Sequence, residues 1–314
     1  MRSLGFIARR LGALAVVLAV VSVLVFAVVQ LLPGDVATEI LGTSATPEDL
    51  AALRLKLGLT RPAPVRYAEW IGGVVRGDWG QSLLYQMPVR PLVLEGLGRS
   101  AVLAGLALLI AVPLSIGLGV VAALRRDRPL DHAISTLTLI ALSLPEFVWG
   151  TLLILLLAYR FRIFPPSSMV DPQASLASQA ARFVLPVLTL ILALLAQMTR
   201  MTRASMIDAI RQPFTEAARL RGLRPRRVVA HALRNALLPT VGIVALNVGF
   251  LLGGIVIVET IFSYPGLGRL LVDSVNHRDV PMLQMATLVV ASAYGLANLG
   301  ADIVYAYLDP RIRY

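Results

Sequence analysis

The chain has 314 residues, of which 57% are hydrophobic and only 15% charged, and its mean hydropathy is +0.77. This is more apolar surface than one soluble core can bury, so the composition excludes an ordinary soluble domain and indicates a membrane protein. The absence of cysteine excludes a disulfide framework and a thiolate metal site. The net charge of +11 would suggest nucleic-acid binding in a soluble domain, but here its meaning depends on where the arginines lie.

Six apolar stretches are long enough to cross a bilayer, for which a helix needs about 20 residues. The first, Leu11 to Leu32, is too long for a signal peptide and no small-residue cleavage site follows it, so it is interpreted as a membrane anchor. The other five cover about residues 101–124, 133–158, 183–198, 237–258 and 282–305. The sequence therefore predicts an all-α polytopic membrane protein with six transmembrane helices.

The basic residues near the helix ends predict the orientation, because cytoplasmic loops carry an excess of Lys and Arg. With the N-terminus inside, the inner segments hold 17 of the 29 basic residues and six acids, which accounts for the whole net charge. Both termini are predicted to be cytoplasmic. This bias explains the charge better than nucleic-acid binding does.

The stretch 33–100 then lies outside and is predicted to be a small extracytoplasmic helical cap. Thr46-Pro47-Glu48-Asp49 offers an N-cap, a proline at the first helical position and acids in the first turn. A second helix is predicted from Pro64 to Arg76, ending at Gly77-Asp78. The predicted divisions of the chain are 1–32 with the first span, the cap 33–100, and a core 101–314 with a cytoplasmic loop at 200–238.

The cytoplasmic loop 200–238 shows more order than the positive-inside rule requires. Its stretch 214–224 has an apolar side and a polar side, as a short helix would. Gly222 permits a sharp turn before Pro225, after which a second helix runs into the fifth span. The pattern predicts a short helix on the membrane surface followed by a bend, a shape that a cytoplasmic partner can grip.

Glu216-Ala217-Ala218, then Gly222 and Leu238-Pro239, resemble the EAA loop in permease subunits of binding-protein-dependent ABC importers. The interval from Gly222 to Leu238-Pro239 is about one turn longer than in the general form and resembles the peptide and nickel branch. The resemblance implies a type I ABC importer permease fold. It also implies that Glu216, Ala217, Ala218, Arg219 and Gly222 couple the chain to an ATPase, with Glu216 paired either to an ATPase arginine or locally to Arg219.

Other motifs carry the same resemblance over nearly the whole chain. They are Leu32-Pro33-Gly34-Asp35, Gly77-Asp78-Trp79-Gly80-Gln81-Ser82, Pro88-Val89, Val258-Glu259-Thr260-Ile261-Phe262, Pro265-Gly266-Leu267-Gly268, Arg278-Asp279-Val280-Pro281 and Tyr307-Leu308-Asp309-Pro310-Arg311. The resemblance implies the first of two permease subunits in a dipeptide, oligopeptide or nickel importer of the bacterial cytoplasmic membrane. The implied partners are membrane lipid, a second similar permease, an external binding protein and two ATPase subunits, which would hold ATP and Mg²⁺; no cofactor is expected in this chain.

The residues needed for several catalytic chemistries do not occur in the required patterns. A P-loop needs a lysine beside the phosphates, and the only lysine is Lys56 in the cap. His132, His231 and His277 show no metal-ligand spacing, and the chain has no G-x-S-x-G elbow. No catalytic or metal site is predicted, and the energy for transport must come from a partner.

Polar residues at membrane depth are candidates for a translocation pathway, because each is costly there unless it is satisfied. A helix kink explains Pro145 as well as a substrate contact does, and a helix–helix hydrogen bond explains Asn247 equally well. The candidates are Ser143, Pro145, Glu146, Asn247, Glu259 and Asn298.

The resemblance also suggests an outer gate or a contact with the binding protein at Tyr264, Pro265 and Gly266, and at Asp78 and Trp79. Helix termination explains the proline and glycine equally well. An autonomous channel or secondary transporter is the alternative class, but such a protein would usually concentrate ionisable groups in its spans or show a repeat, and neither is evident. A membrane enzyme would need a convergent catalytic set.

Overall fold

The computed structural model describes residues 2–31, 46–56, 60–169 and 175–308. Within these ranges the regular elements are helices, apart from an isolated antiparallel bridge between Gln81 and Pro88. The motif at 32–35 and residues 309–311 of the last motif lie outside the described residues. The helices are α1 Arg2–Leu31, α2 Pro47–Lys56, α3 Ala63–Arg76, α4 Val89–Leu124, α5 Pro129–Ser143, α6 Glu146–Leu153 with a π-helical extension Ile154–Arg160, α7 Leu176–Ile210, α8 Pro213–Leu220, α9 Pro225–Ile261, α10 Leu267–Asn276 and α11 Val280–Leu308.

Four of these helices, α1, α4, α7 and α11, are long and apolar enough to cross a membrane. Two more spans arise if each bent pair counts as one. The pair α5 and α6 is bent by 103°, and the two parts of α9, Pro225–Leu237 and Pro239–Gly249, are bent by 48°. The described structure therefore contains four to six candidate spans where the sequence predicts six.

The predicted third span, 133–158, is broken into two helices. Pro145 has no N–H to donate, and Leu144 before it takes an extended conformation (φ −103°, ψ 134°), so α5 ends at Ser143. Trp149 supports the bend, because its Nε1–H donates to the carbonyl of Ala141 at 2.9 Å. The kink expected at Pro145 is confirmed, and it is sharp enough to end one helix and begin another.

The chain forms two compact units, residues 1–100 with 265–295 and residues 101–264 with 296–314. In the first unit α3 packs on α1: the Phe26 ring lies 5.4 Å from Tyr67 and 6.1 Å from Trp70. The Tyr67 hydroxyl also shares a 2.8 Å hydrogen bond with Ser22. This aromatic contact places α3 in one unit with α1, a different division from the separate cap predicted for 33–100.

The local signals within that stretch are confirmed where the structure describes them. Thr46 caps α2, its hydroxyl accepting the N–H of Asp49 at 3.2 Å. The predicted helix from Pro64 to Arg76 is α3, which ends at Gly77 in the left-handed region (φ +85°).

The core of the second unit is built from α4, α7 and α9. Its fully buried residues include Leu103, Leu185, Leu190, Leu194, Met198 and Val258. Helices α4 and α7 approach closely at Gly119, where an added Cβ would lie 2.6 Å from the Thr202 Cβ and 2.9 Å from the Thr199 carbonyl oxygen. The Thr202 hydroxyl in turn lies 3.3 Å from that of Thr240 on α9. These contacts hold α4, α7 and α9 together, and α8 connects α7 to α9.

Candidate functional site

Helix α8 has both ends fixed by local hydrogen bonds. At its start Pro213 occupies the first helical position, and the Thr215 hydroxyl donates to the carbonyl of Ala209 on α7 at 2.8 Å. At its end Gly222 is left-handed (φ +73°) and its N–H bonds the Arg219 carbonyl at 2.9 Å, while the Leu223 N–H bonds the Ala218 carbonyl at 3.3 Å. This pair of bonds is a Schellman motif, which glycine favours because it has no Cβ.

One face of α8 is buried and the rest is open. Thr215 and Ala218 point inward, whereas Glu216, Ala217 and Arg219 are exposed. Apolar side chains are also exposed, Leu220 by 83% and Phe214 by 38%. The short helix predicted within 214–224 is found as α8, Pro213–Leu220, and the predicted turn is found at Gly222. The next helix, expected from about residue 226, begins at Pro225. The arrangement presents charged and apolar groups on a short, rigid helix.

The support under α8 is a cluster of small side chains and one methionine. Ala209 at the end of α7 packs there with Ala232 and Ala236 of α9, Met206 of α7 and Ala123 of α4. Small side chains let helix backbones approach closely, so the three helices are held tightly where α8 is attached.

A buried ion pair lies nearby, between α5 and α7. Arg203 grips Asp131 through two parallel bonds, Nε to Oδ1 and Nη2 to Oδ2, each 2.6 Å. The second carboxylate oxygen also accepts the N–H of Asp127 at 3.0 Å. Sequence reasoning counted Asp131 only as one of the inner acids, because no spacing rule joins residues 72 positions apart.

The break between α5 and α6 brings together three of the proposed pathway residues. Ser143 is exposed and donates to the Leu139 carbonyl at 2.8 Å, and Pro145 is exposed beside it. Glu146 is half-buried and its carboxylate lies against Gly254 of α9, where an added Cβ would overlap it. The absence of a side chain at Gly254 therefore leaves the space that the Glu146 carboxylate occupies. Transport contact by these residues stays a prediction.

The other three proposed pathway residues do not share that place. Asn247 is buried and donates to the Ile243 carbonyl of its own helix at 2.9 Å. Glu259 is 0% exposed near the end of α9, and Asn298 is half-buried on α11. The sequence left two roles open for Asn247, a residue facing the pore or a hydrogen bond to another helix. The structure shows instead a bond within its own helix.

The proposed contacts for a binding protein divide by exposure. Tyr264 is 2% exposed, with its ring edge-on to Phe183 at 5.6 Å, and Gly266 is also buried. Their burial leaves Pro265 as the half-exposed member of that group. Contact through the Tyr264 side chain is thus not supported by the structure, because the ring forms part of the core.

The residues Asp78 and Trp79 belong to the first unit. Asp78 is exposed and accepts the N–H of Gly80 at 3.1 Å. Trp79 is half-buried, with the Arg90 guanidinium 5.9 Å from its ring. Asp78 is the more exposed of the two, and contact of either residue with a partner stays a prediction.

A buried carboxylate in the first unit joins two motifs that looked separate in the sequence. Asp279 accepts the Ser82 hydroxyl and, at 3.2 Å, the N–H of Leu84. It also accepts the N–H of Met282 at 3.2 Å, as the cap of α11. The hairpin around Gln81 and Pro88 is thereby fixed to the start of α11.

Tyr85, at the tip of this hairpin, has its pKa raised above the usual 10.0. Partial burial disfavours the phenolate, and the carboxylate of Asp273 both repels it and accepts its hydrogen bond. The positive charge of Arg269 opposes part of this effect. The tyrosine is therefore held in its neutral form.

No group of three His, Asp or Glu side chains that could hold a metal ion occurs in the part of the chain that the structure describes.

Comparison with known proteins identifies the family. Residues 115–314 match the binding-protein-dependent transport system inner membrane component, and residues 3–87 match the N-terminal region of such components. The chain is 36% identical to the di/tripeptide transport system permease protein DppB of Pseudomonas aeruginosa and 35% identical to the dipeptide permease DppB of Escherichia coli K12. It is also 36% identical to the glutathione transport system permease protein GsiC of Salmonella choleraesuis, and each of the three alignments covers 99% of both chains. The chain therefore belongs to the binding-protein-dependent inner membrane components, as a non-catalytic, multi-pass permease subunit of an ABC importer in the bacterial inner membrane.

Proposed function

We propose that this chain is one of two permease subunits in an ATP-driven peptide importer and forms half of the translocation pathway. The names of its relatives support a peptide cargo. The glutathione permease, at similar identity, indicates that closely related subunits serve different cargoes. Cargo is then chosen mainly by the external binding protein. Nickel or another small ligand is the alternative within the family.

The proposed topology has six spans with both termini in the cytoplasm. It counts α5 with α6 as one span and the bent helix α9 as another, which gives six, the largest number of candidate spans. The positive-inside rule then puts α8 and the arginines of 200–238 on the cytoplasmic side.

The observation that carries the proposal is the geometry of α8. A short helix with fixed ends and an exposed surface of Glu216, Arg219 and Leu220 can enter a cleft on an ATPase without first becoming ordered. Little conformational entropy is then lost on binding. Displacement of α8 is passed to α7 and α9, because α8 lies between them in the chain and Thr215 is bonded to the end of α7. Helix α8 is thus the coupling element.

In this scheme two ATPase subunits hold ATP and Mg²⁺, and their closure moves two permeases between inward and outward access. The binding protein delivers cargo from outside. Ser143 and Glu146, at the break between α5 and α6, line the pathway of this subunit, because an acid at membrane depth needs a water-filled or protein surface.

The first test is co-purification of the tagged chain from native membranes, followed by mass spectrometry. A second permease, P-loop ATPases and a binding protein should be recovered with it. Recovery of the chain alone or as a homo-oligomer from intact membranes would contradict the importer assembly and favour a channel or secondary carrier.

The coupling role is tested with the purified complex in proteoliposomes. Glu216→Ala should lower peptide uptake about tenfold, the loss expected when an interface side chain worth about 1.4 kcal/mol is removed. Arg221→Ala, just beyond the helix and also exposed, is the matched control and should transport normally. Equal uptake by both variants at equal expression would remove Glu216 from the coupling surface.

A further inference from the structure

The ion pair between Asp131 and Arg203 is far more buried than the surface ion pair between Arg61 and Glu69. The Asp131 side chain is 1% exposed and that of Arg203 is 29% exposed, whereas Arg61 and Glu69 are both more than half exposed. A buried charge is stable only when its hydrogen-bonding capacity is largely filled, and here the donors are two guanidinium bonds, the Asp127 N–H and, at 3.5 Å, the Ser135 hydroxyl. Such a pair holds its helices in one relative orientation.

The position of the pair connects two places that the proposed function uses. Arg203 lies two turns before the end of α7, where the Ala209 carbonyl receives the hydroxyl of Thr215 in α8. Asp131 lies in the first turn of α5, which ends at the break beside Glu146. A continuous series of contacts therefore runs from α8 through α7 and the ion pair to α5 and the break.

We propose that the Asp131–Arg203 pair is a positioning pair, which makes α5 move with α7 when an ATPase displaces α8. The inference rests on the proposed coupling role of α8 and extends it to a residue pair that touches neither the ATPase nor the cargo. Two parallel bonds resist both sliding and rotation, so displacement of α7 is delivered to α5. The break at Leu144-Pro145 then absorbs the motion, because the described structure has a side-chain bond across it, from Trp149 to Ala141, in place of the backbone bonds of a continuous helix.

Loss of the pair uncouples the two helices without removing α8 from the ATPase. The ATPase would still close and hydrolyse ATP, but α5 would follow α7 less often. The quantity that reports this is the number of ATP molecules hydrolysed for each peptide transported. A pair that only stabilised the fold would lower both rates together and leave that ratio unchanged.

The experiment uses the complete complex in proteoliposomes, with ATP hydrolysis and labelled dipeptide uptake measured on the same preparation. Asp131→Asn and Arg203→Gln should each raise the ratio about 2- to 30-fold, the range found when residues that couple distant sites are replaced. The double variant should be no worse than either single one, because the same pair is lost. Arg203→Lys, which keeps the charge and loses the parallel bonds, should give an intermediate ratio and serves if the stronger variants do not assemble.

The matched control is Asp127→Asn in the same turn. Asp127 pairs with Arg126 at 3.2 Å on the surface, and its left-handed conformation (φ +60°) suits asparagine. Its carboxylate adds to Arg203 only a charge interaction that is smaller than those of Asp131, so its ratio should stay close to that of the wild type. An unchanged ratio in Asp131→Asn or Arg203→Lys would overturn the proposal.

A parallel measurement on Glu216→Ala separates the two hypotheses. If that variant loses uptake while Asp131→Asn keeps the normal ratio, only the positioning role fails. If neither differs from the wild type, the coupling role of α8 fails with it.

Discussion

The turn after α8 and the crossing of α4 with α7 are both tight, but they are specified in different ways. At the turn, Gly222 meets a purely local demand, since the two Schellman bonds join residues within five positions of each other. At the crossing, Gly119 meets a demand made by Thr199 and Thr202, some 80 positions away. Local demands can be predicted from a short window of sequence, whereas distant ones cannot.

A substitution at the crossing of α4 with α7 should have the largest effect on stability. Gly119→Ala places a Cβ against the Thr199 carbonyl and the Thr202 side chain, and a backbone carbonyl cannot swing away. Overpacking of this kind costs about 1–3 kcal/mol, so the purified complex should unfold at a lower temperature. The matched control is Gly117→Ala, because a Cβ at Gly117 meets nothing within 4 Å.

The two glycines lie on the same helix two residues apart, so helix propensity is gained equally in both variants and cancels in the comparison. Equal melting temperatures would show that the α4–α7 approach is looser than described.

Substitution at the turn should have a smaller effect than Gly119→Ala. Its size should depend on whether the new residue tolerates a left-handed backbone. Gly222→Val forces a β-branched residue to φ +73°, which costs about 1–2 kcal/mol and favours a different path into α9. Peptide uptake per ATP should fall. Gly222→Asn is the control, because asparagine tolerates the left-handed region and should retain most of the coupling.

If Val and Asn behave alike at position 222, the left-handed conformation is not required for coupling, and the space around the turn matters instead. A Cβ at Gly222 meets nothing within 4 Å, so the described chain gives no steric reason to expect that outcome.

The distinction between local and distant demands also explains which features could be predicted from the sequence. The Thr46 cap and the end of α3 follow from capping and turn rules over a few residues, and helix α8 follows from the two-sided pattern of 214–224. Proline chemistry also predicted a kink at Pro145. The 103° angle was not predictable, because it is supported by the Trp149 bond to Ala141 and by other packing within that unit.

The candidate site shows the same limit. The exposed face of α8 could be inferred from its pattern, but the ion pair of Asp131 and Arg203 could not, since only the fold brings α5 to α7. The packing of α3 on α1 was missed for a similar reason. The sequence predicts a small helical cap for 33–100, and no local pattern identifies Tyr67 and Trp70 as partners for Phe26.

The smallest expected effect concerns another distant contact, that of Tyr85 with Asp273. The raised pKa of Tyr85 means that the folded protein favours the neutral phenol more than the unfolded chain does. The resulting stability is complete below the unfolded pKa of about 10 and is lost as the pH rises through the higher folded pKa. The melting temperature of the wild type should therefore fall more steeply above about pH 10 than that of Tyr85→Phe, which cannot ionise.

The measurement is a series of thermal unfolding curves of the two proteins from neutral pH into the alkaline range, at constant ionic strength. At neutral pH the wild type should be slightly the more stable, because Tyr85→Phe loses the hydrogen bond to Asp273. The difference should shrink with rising pH, because ionisation of Tyr85 places a negative charge beside that of Asp273. A difference that stays constant through the alkaline range would mean that folding does not raise the pKa of Tyr85, so that neither burial nor Asp273 acts on the phenol as described.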